Sequence, residues 1–264
     1  MGFGFGIWDL QITNPESRIT PVVDSHTRIG AVHLTVSELD RSIGFYRAPL
    51  GFALHRQEQG VAFLGAGADD LLVLYESPAA PRVRGTTGLY HFAILVPSRG
   101  ALAVSLRRLV ETRTTLQGAA DHGVSEAIYL ADPDGNGIEI YRDRPVAEWP
   151  TKNGALAMTT DPRFYVDLLG FDIRQRYGPS ALFVAAGGYH HHIGLNTWAG
   201  IGAPAPPAGA IGLRYFVVTL PDAAARDGLG IRLEAAGIQL DRDAEGSLLV
   251  RDPSSNALLL KSST

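Results

Sequence analysis

The chain contains no cysteine among its 264 residues. Disulfide scaffolds, thiolate zinc sites, iron–sulfur clusters and cysteine nucleophiles are therefore excluded, and any tightly held transition metal must be bound through nitrogen and oxygen. Charge is sparse too: 23 basic against 27 acidic side chains leave a formal charge of −4. With no clustered Lys/Arg run, the chain lacks the electrostatic footprint that nucleic acid requires. Long apolar runs are also missing, and none approaches the roughly 18 residues that a membrane-spanning helix needs. The opening Met1–Trp8 segment has no basic region of the kind that begins a signal peptide. Gly6 stands where N-myristoylation requires Ser or Thr. These absences point to a cytoplasmic protein that handles a small molecule and binds neither nucleic acid nor membrane. What remains is an ordinary globular mixture, 45 % hydrophobic and 19 % charged. Its length allows one large domain or two of about 130 residues.

Internal repetition favours two. Phe45-Tyr46-Arg47-Ala48-Pro49-Leu50-Gly51-Phe52 recurs as Phe164-Tyr165-Val166-Asp167-Leu168-Leu169-Gly170-Phe171, a shift of 119 residues. Asp132-Pro133 through Asn136-Gly137-Ile138 recurs as Asp252-Pro253 through Asn256-Ala257-Leu258. The chain thus divides into similar halves, 28–145 and 152–262, joined at a polar, turn-rich stretch from Trp149 to Gly154. Each half holds two smaller units; in the first half they span 28–80 and 86–145. In each unit a strand pattern leads to a short helix and then to further strands, the order βαβββ four times over. Ser37 is placed to cap the first helix. Leu102, Leu106 and Leu109 recur at helical spacing, which reads as core packing. One helix per unit with antiparallel strands argues for an α+β fold.

Strand alternation singles out three polar residues. Around 32–36, Val32, Leu34 and Val36 share one face while His33 and Thr35 share the other. His91 opposes Tyr90 and Phe92, and Glu139 opposes Ile138 and Ile140 in the same way. If the first two units pair about a pseudo-twofold axis, His33, His91 and Glu139 converge across a curved sheet. Two imidazoles and a carboxylate with open positions form the facial triad suited to non-haem Fe(II). A lone strand histidine is ordinarily a satisfied or surface residue, but three donors at corresponding places make a metal site the stronger reading.

These units, the Phe-Tyr-x-x-x-Leu-Gly-Phe run and the Asp132–Tyr141 ending resemble the vicinal oxygen chelate superfamily of glyoxalases, bleomycin resistance proteins and extradiol dioxygenases. The resemblance covers nearly the whole chain and implies four βαβββ units paired into two half-barrel domains. The first, 28–145, would bear the metal, and 152–262 would be a degenerate second domain. The stretch from His122 through Tyr129 to Gly135 is similar to the segment of ring-cleaving dioxygenases that carries an active-site His and Tyr. The chain as a whole is most similar to the bacterial catechol-2,3-dioxygenase-like group, with its Gly-Gly-Tyr-His-His-His run at 187–192. The resemblance implies His33, His91 and Glu139 as Fe(II) ligands, with Mn(II) or Zn(II) as alternatives. His122 and Tyr129 would then bind and polarise a catechol-like substrate that is cleaved with O₂.

Departures from the family pattern are specific. In the second half Ala157, Tyr215 and Leu259 stand where the three ligands would be. The late acid-catalyst histidine of the family has no counterpart, and Asp69 or Asp70 occupies its neighbourhood. Val73 stands at the fourth-ligand position of the isomerases. Other reactions of the same superfamily are a metal-dependent thiol transfer or isomerisation. A third reading is a non-catalytic, ligand-sequestering resistance protein. His190 and His192 would share a strand face, and without an acidic partner the run His190-His191-His192 reads as structural or pocket-lining. The sequence leaves room for a homo-oligomer.

Overall fold

A computed structural model of the chain describes residues 23–122, 124–145, 164–177, 180–200 and 202–263. The opening Met1–Trp8 segment, the joint from Trp149 to Gly154, and Ala157 lie outside the described residues. The first unit runs β1 (Arg28–Val36), α1 (Leu39–Arg47), β2 (Ala53–Glu58), β3 (Val61–Gly65) and β4 (Leu72–Glu76). The second runs β5 (His91–Leu95), α2 (Arg99–Glu111), β6 (Leu116–Asp121), β7 (Ser125–Ala131) and β8 (Gly137–Asp143). In the third, a π-helical turn (Phe164–Leu168) precedes β9 (Asp172–Tyr177), β10 (Ala181–Ala185) and β11 (Ile193–Asn196). The fourth holds β12 (Gly212–Leu220), α3 (Ala223–Ala235), β13 (Leu240–Arg242), β14 (Leu248–Arg251) and β15 (Ala257–Ser262). The fold is α+β, as expected, with few helices and much sheet. No helix among the described residues is long and apolar enough to cross a membrane.

Local chemistry explains these elements. Helix α1 buries Leu39, Ile43 and Tyr46, spaced four and three residues apart on one face. Ser98 caps α2 by accepting the Ala101 amide at 3.1 Å. Ser37 does not cap α1. Its amide and hydroxyl donate instead to the Asp134 carboxylate at 2.8 and 2.7 Å, because an ionised acceptor makes the stronger bond. The first free amide of α1, Leu39 N–H, is satisfied from a distance by Glu76 Oε1 at 3.0 Å. Leu102 and Leu109 pack in the core, whereas Leu106 is 40 % exposed. The neighbouring β6 is itself almost wholly exposed and leaves that side of the helix uncovered.

Two apolar cores follow the sequence duplication. One joins Leu34, Tyr46, Leu64 and Leu74 of the first unit to Phe92, Leu109, Leu130 and Ile138 of the second. The other joins Phe164, Leu182 and Val184 of the third to Leu233, Val250 and Leu258 of the fourth. A buried tether fastens each. The Tyr46 hydroxyl donates to Asp132 Oδ2 at 2.8 Å, and Tyr165 donates to Asp252 Oδ2 at 2.7 Å. In both turns the other carboxylate oxygen accepts two backbone amides, so the repeated Asp-Pro motif is a folding device.

The sheets cross that boundary. The first and fourth units form one eight-stranded sheet, ordered β13-β14-β15-β12-β1-β4-β3-β2. Its seam is the antiparallel pairing of β1 with β12, where His33 lies opposite Tyr215. The second unit forms a separate four-stranded sheet, β5-β8-β7-β6, and the third contributes β11-β10-β9. The first two units therefore share a core but not a sheet. The pairing on which the convergence of His33 with His91 depended is not the one adopted.

Candidate functional site

Strands β5 and β8 run parallel with His91 in register with Gly137 and Ala93 with Glu139. His91 and Glu139 thus point to the same face, two residues apart along β8. Gly137 makes the approach feasible. A Cβ there would lie 2.1 Å from the Tyr90 carbonyl oxygen and 3.0 Å from His91 Cβ. His91 Nε2 comes to 3.0 Å from Glu139 Oε2, with the carboxylate side chain only 7 % exposed. From β7, Tyr129 stands directly opposite Glu139 and donates its hydroxyl to Oε1 at 2.9 Å. His122 Nε2 lies 2.7 Å from the same hydroxyl. A phenol has one proton, already given to Glu139, so His122 must be the donor there.

Burial opposes ionisation of Glu139, but contacts with His91 and Tyr129 outweigh it and hold the carboxyl below its ordinary range. Burial, reinforced by the Glu139 charge, pushes the Tyr129 phenol well up, so it remains protonated. His91 Nδ1 is buried without a hydrogen-bond partner. Buried polar atoms are ordinarily paired, so a nitrogen left unpaired on the ring that meets Glu139 calls for an explanation, and a functional role supplies one.

Across from this group, the turn at 186–192 carries the histidine run. Gly187 makes the turn possible. Its φ is +61°, and a Cβ would lie 2.5 Å from the Ser25 carbonyl oxygen. The run does not lie in a strand, so His190 and His192 do not share a sheet face; β11 begins only at Ile193. His190 Nε2 contacts Asp143 Oδ1 at 2.7 Å, and its Nδ1 lies 2.8 Å from Nδ1 of His191. His192 Nδ1 accepts the Ala186 amide at 3.1 Å. His191 lies within electrostatic reach of Glu139, His91 and His122, and burial pushes its pKa down to about 3.

His33 lies elsewhere. Its Nδ1 sits 3.0 Å from the Tyr75 hydroxyl, and its ring stacks on Tyr215 at 4.0 Å. Burial, assisted by Arg214, lowers its pKa to about 4. Among the described residues no hydrogen bond, ion pair or ring contact links it to His91 or Glu139. Asp70 is on His33's side as well, held by His55 and Arg56 at 2.8 Å each. The structure therefore gathers His91, Glu139, Tyr129 and His122 as the sequence suggested, and leaves His33 out. Among the described residues, no three His, Asp or Glu side chains are close enough to hold a metal ion. The donor chemistry nevertheless fits one. Two donors each about 2.1 Å from one ion at a right angle lie about 3 Å apart, which is the spacing of His91 and Glu139.

Comparison with known proteins follows the same lines. The profile of the glyoxalase/bleomycin resistance protein/dioxygenase superfamily matches residues 28–140. A catechol-2,3-dioxygenase of Bacillus subtilis (strain 168) is 42 % identical over 90 % of this chain and 98 % of that protein. The chain belongs to this superfamily. Solved structures of the same fold include glyoxalase I from Zea mays, with TM-score 0.61 and 17 % identity over 89 % of this chain and 92 % of that one. A second, from Bacillus subtilis, has TM-score 0.69 and 17 % identity over 91 % of this chain and 86 % of that one.

From the sequence alone, His190-His191-His192 read together as a structural or pocket-lining run, and the three histidines are not separated. Gly187 and Gly188, both with positive φ, break strand alternation ahead of the run, which is why a shared strand face for His190 and His192 does not hold.

Proposed function

We propose that this chain is an Fe(II)-dependent extradiol dioxygenase that opens the ring of a catechol-like diol with O₂. The observation that carries the reading is the His91–Glu139 pair at 3.0 Å, in a chain 42 % identical to a catechol-2,3-dioxygenase. His91 and Glu139 would hold the ion, with Mn(II) and Zn(II) as the alternatives to iron. When bound, such an ion supplies Lewis acidity toward the adjacent oxygens of a diol and a coordination position for O₂.

The chain's own groups have separable tasks. Tyr129 fixes Glu139 by donating to Oε1, which keeps the carboxylate oriented and ionised. His122 gives its Nε2 proton to that phenol oxygen, which leaves Nδ1 as the nitrogen able to take a proton from a substrate hydroxyl. His122 is exposed, so a proton received there can pass to solvent. Tyr129, kept protonated by burial and the Glu139 charge, serves as a donor and not as a base.

Untagged protein purified without oxygen is expected to carry iron, consume O₂ with catechol and form a yellow ring-opened product. His91→Ala removes all three properties. Bound Mn(II) without O₂ uptake on any diol would shift the reading to a metal-dependent transferase or isomerase. Protein that holds no first-row metal would refute it.

A further inference from the structure

His91 and Glu139 supply two donors, and the imidazole first expected beside them lies on the other sheet. We infer that His191 supplies the missing nitrogen, so that the metal centre is shared between the second and third units. The inference rests on the metal-dependent reading proposed above.

Proton accounting along the turn identifies the atom. A carboxylate only accepts, so His190 donates from Nε2 to Asp143 Oδ1 at 2.7 Å. With its ring proton on Nε2, His190 offers Nδ1 as the acceptor. The 2.8 Å contact between the two Nδ1 atoms therefore makes His191 the donor. An imidazole that carries its proton on Nδ1 has its lone pair on Nε2, the form that binds a metal. Asp143 is itself fixed, because the Tyr189 hydroxyl donates to its Oδ2 at 2.9 Å. Tyr189 also meets the hydroxyl of Tyr141 at 2.9 Å, on the strand that carries Glu139.

Elimination gives the same answer. Both ring nitrogens of His190 are already engaged by Asp143 and His191. His192 accepts the Ala186 amide on Nδ1, so its Nε2 carries the proton and has no lone pair to offer. His191 remains, packed against Phe183 with ring centroids 4.7 Å apart. It sits in a turn whose Tyr189 and His190 dock on Tyr141 and Asp143. Those two residues follow Glu139 at two-residue steps on the same face of β8. The donors are not gathered at ligating distance in this conformation, so closing the set takes a movement of the turn toward the pair that keeps the His190–His191 contact. Asp143 and His190 are positioning residues. They hold the tautomer, as outer partners of metal-bound histidines do.

The test is anaerobic titration of the full untagged chain with Mn(II) and with Co(II), reading stoichiometry, affinity and the visible Co(II) spectrum. Wild type and His33→Ala should bind one ion with the same affinity and spectrum. His91→Ala and His191→Ala should each lose more than the roughly 10–100-fold typical of outer-sphere changes, whereas His190→Ala should fall within that range. If His191→Ala does not fold, His191→Gly with added imidazole should recover both affinity and the nitrogen-ligated spectrum, which a purely structural histidine would not do. Wild-type affinity and spectrum in His191→Ala, with loss in His91→Ala, would overturn the inference and leave the metal reading intact. Loss in His33→Ala with retention in His191→Ala would overturn it in favour of the first-strand triad. A wild-type chain that binds neither ion would overturn both readings.

Discussion

Tyr129→Phe deletes one oxygen and changes little else, so its consequence can be worked through. That oxygen receives the His122 Nε2 proton at 2.7 Å and gives its own to Glu139 Oε1 at 2.9 Å. Glu139 is 7 % exposed on its side chain, so water replaces the lost donor poorly. A hydrogen bond to a charged group contributes about 1.5–3 kcal/mol. At about 1.4 kcal/mol per tenfold, the variant should bind its metal about 10–100-fold more weakly. The pH dependence should move with it. The Tyr129 bond is one of the contacts that hold the Glu139 carboxyl below its ordinary range against the opposing effect of burial. Without it the carboxyl pKa rises, protons compete at higher pH, and the acid limb of metal binding shifts upward. Mn(II) titration followed by electron paramagnetic resonance from pH 5 to 8 measures both effects. Wild-type affinity at pH 7 together with an unmoved acid limb would refute the reasoning. His122→Ala should have the smaller effect, because it acts on Glu139 only through the phenol.

Three further outcomes concern the scaffold. Tyr46→Phe and Tyr165→Phe should each cost about 1.5–3 kcal/mol in urea unfolding, because each removes a buried donor from an aspartate that anchors a turn; a loss in only one half would break the equivalence of the two tethers. Leu109→Ala should cost about 2–5 kcal/mol, since the residue is fully buried, whereas Leu106→Ala at 40 % exposure should fall well below that; equal losses would contradict the packing described. Asp134 is held below the usual carboxylate value: burial opposes this, but Ser37, Arg41 and Arg82 prevail. Its stabilisation is therefore complete above the unfolded carboxylate value of about 3.9 and is lost as pH falls through the folded value. Asp134→Asn should flatten the acid limb of thermal stability, and an unchanged limb would show that the cluster carries no linkage.

Much of the scaffold was legible in the residues. Alternation at 32–36 and 138–141 placed Leu34, Val36, Ile138 and Ile140 in the core, and all four are buried. The same alternation turned His91 and Glu139 away from that core, and the parallel register of β5 and β8 then brought them together. Ser37 and Leu106 were misjudged for a common reason. Capping preference and helical spacing are local, while Asp134 and the exposed β6 act from distant parts of the chain.

The sequence by itself determined the four-unit order, the apolar face of each strand, the Asp-Pro turns and a site chemistry restricted to nitrogen and oxygen donors. Only the tertiary structure decided which units meet edge to edge. The first unit could bury the same apolar face whether β1 paired with the second unit or the fourth, so hydrophobic patterning does not distinguish the two. Pairing with β12 carried His33 to Tyr215, away from the sheet in which β5 and β8 bring His91 and Glu139 together. A side chain's face is a property of its own strand, but its neighbours are set by long-range pairing.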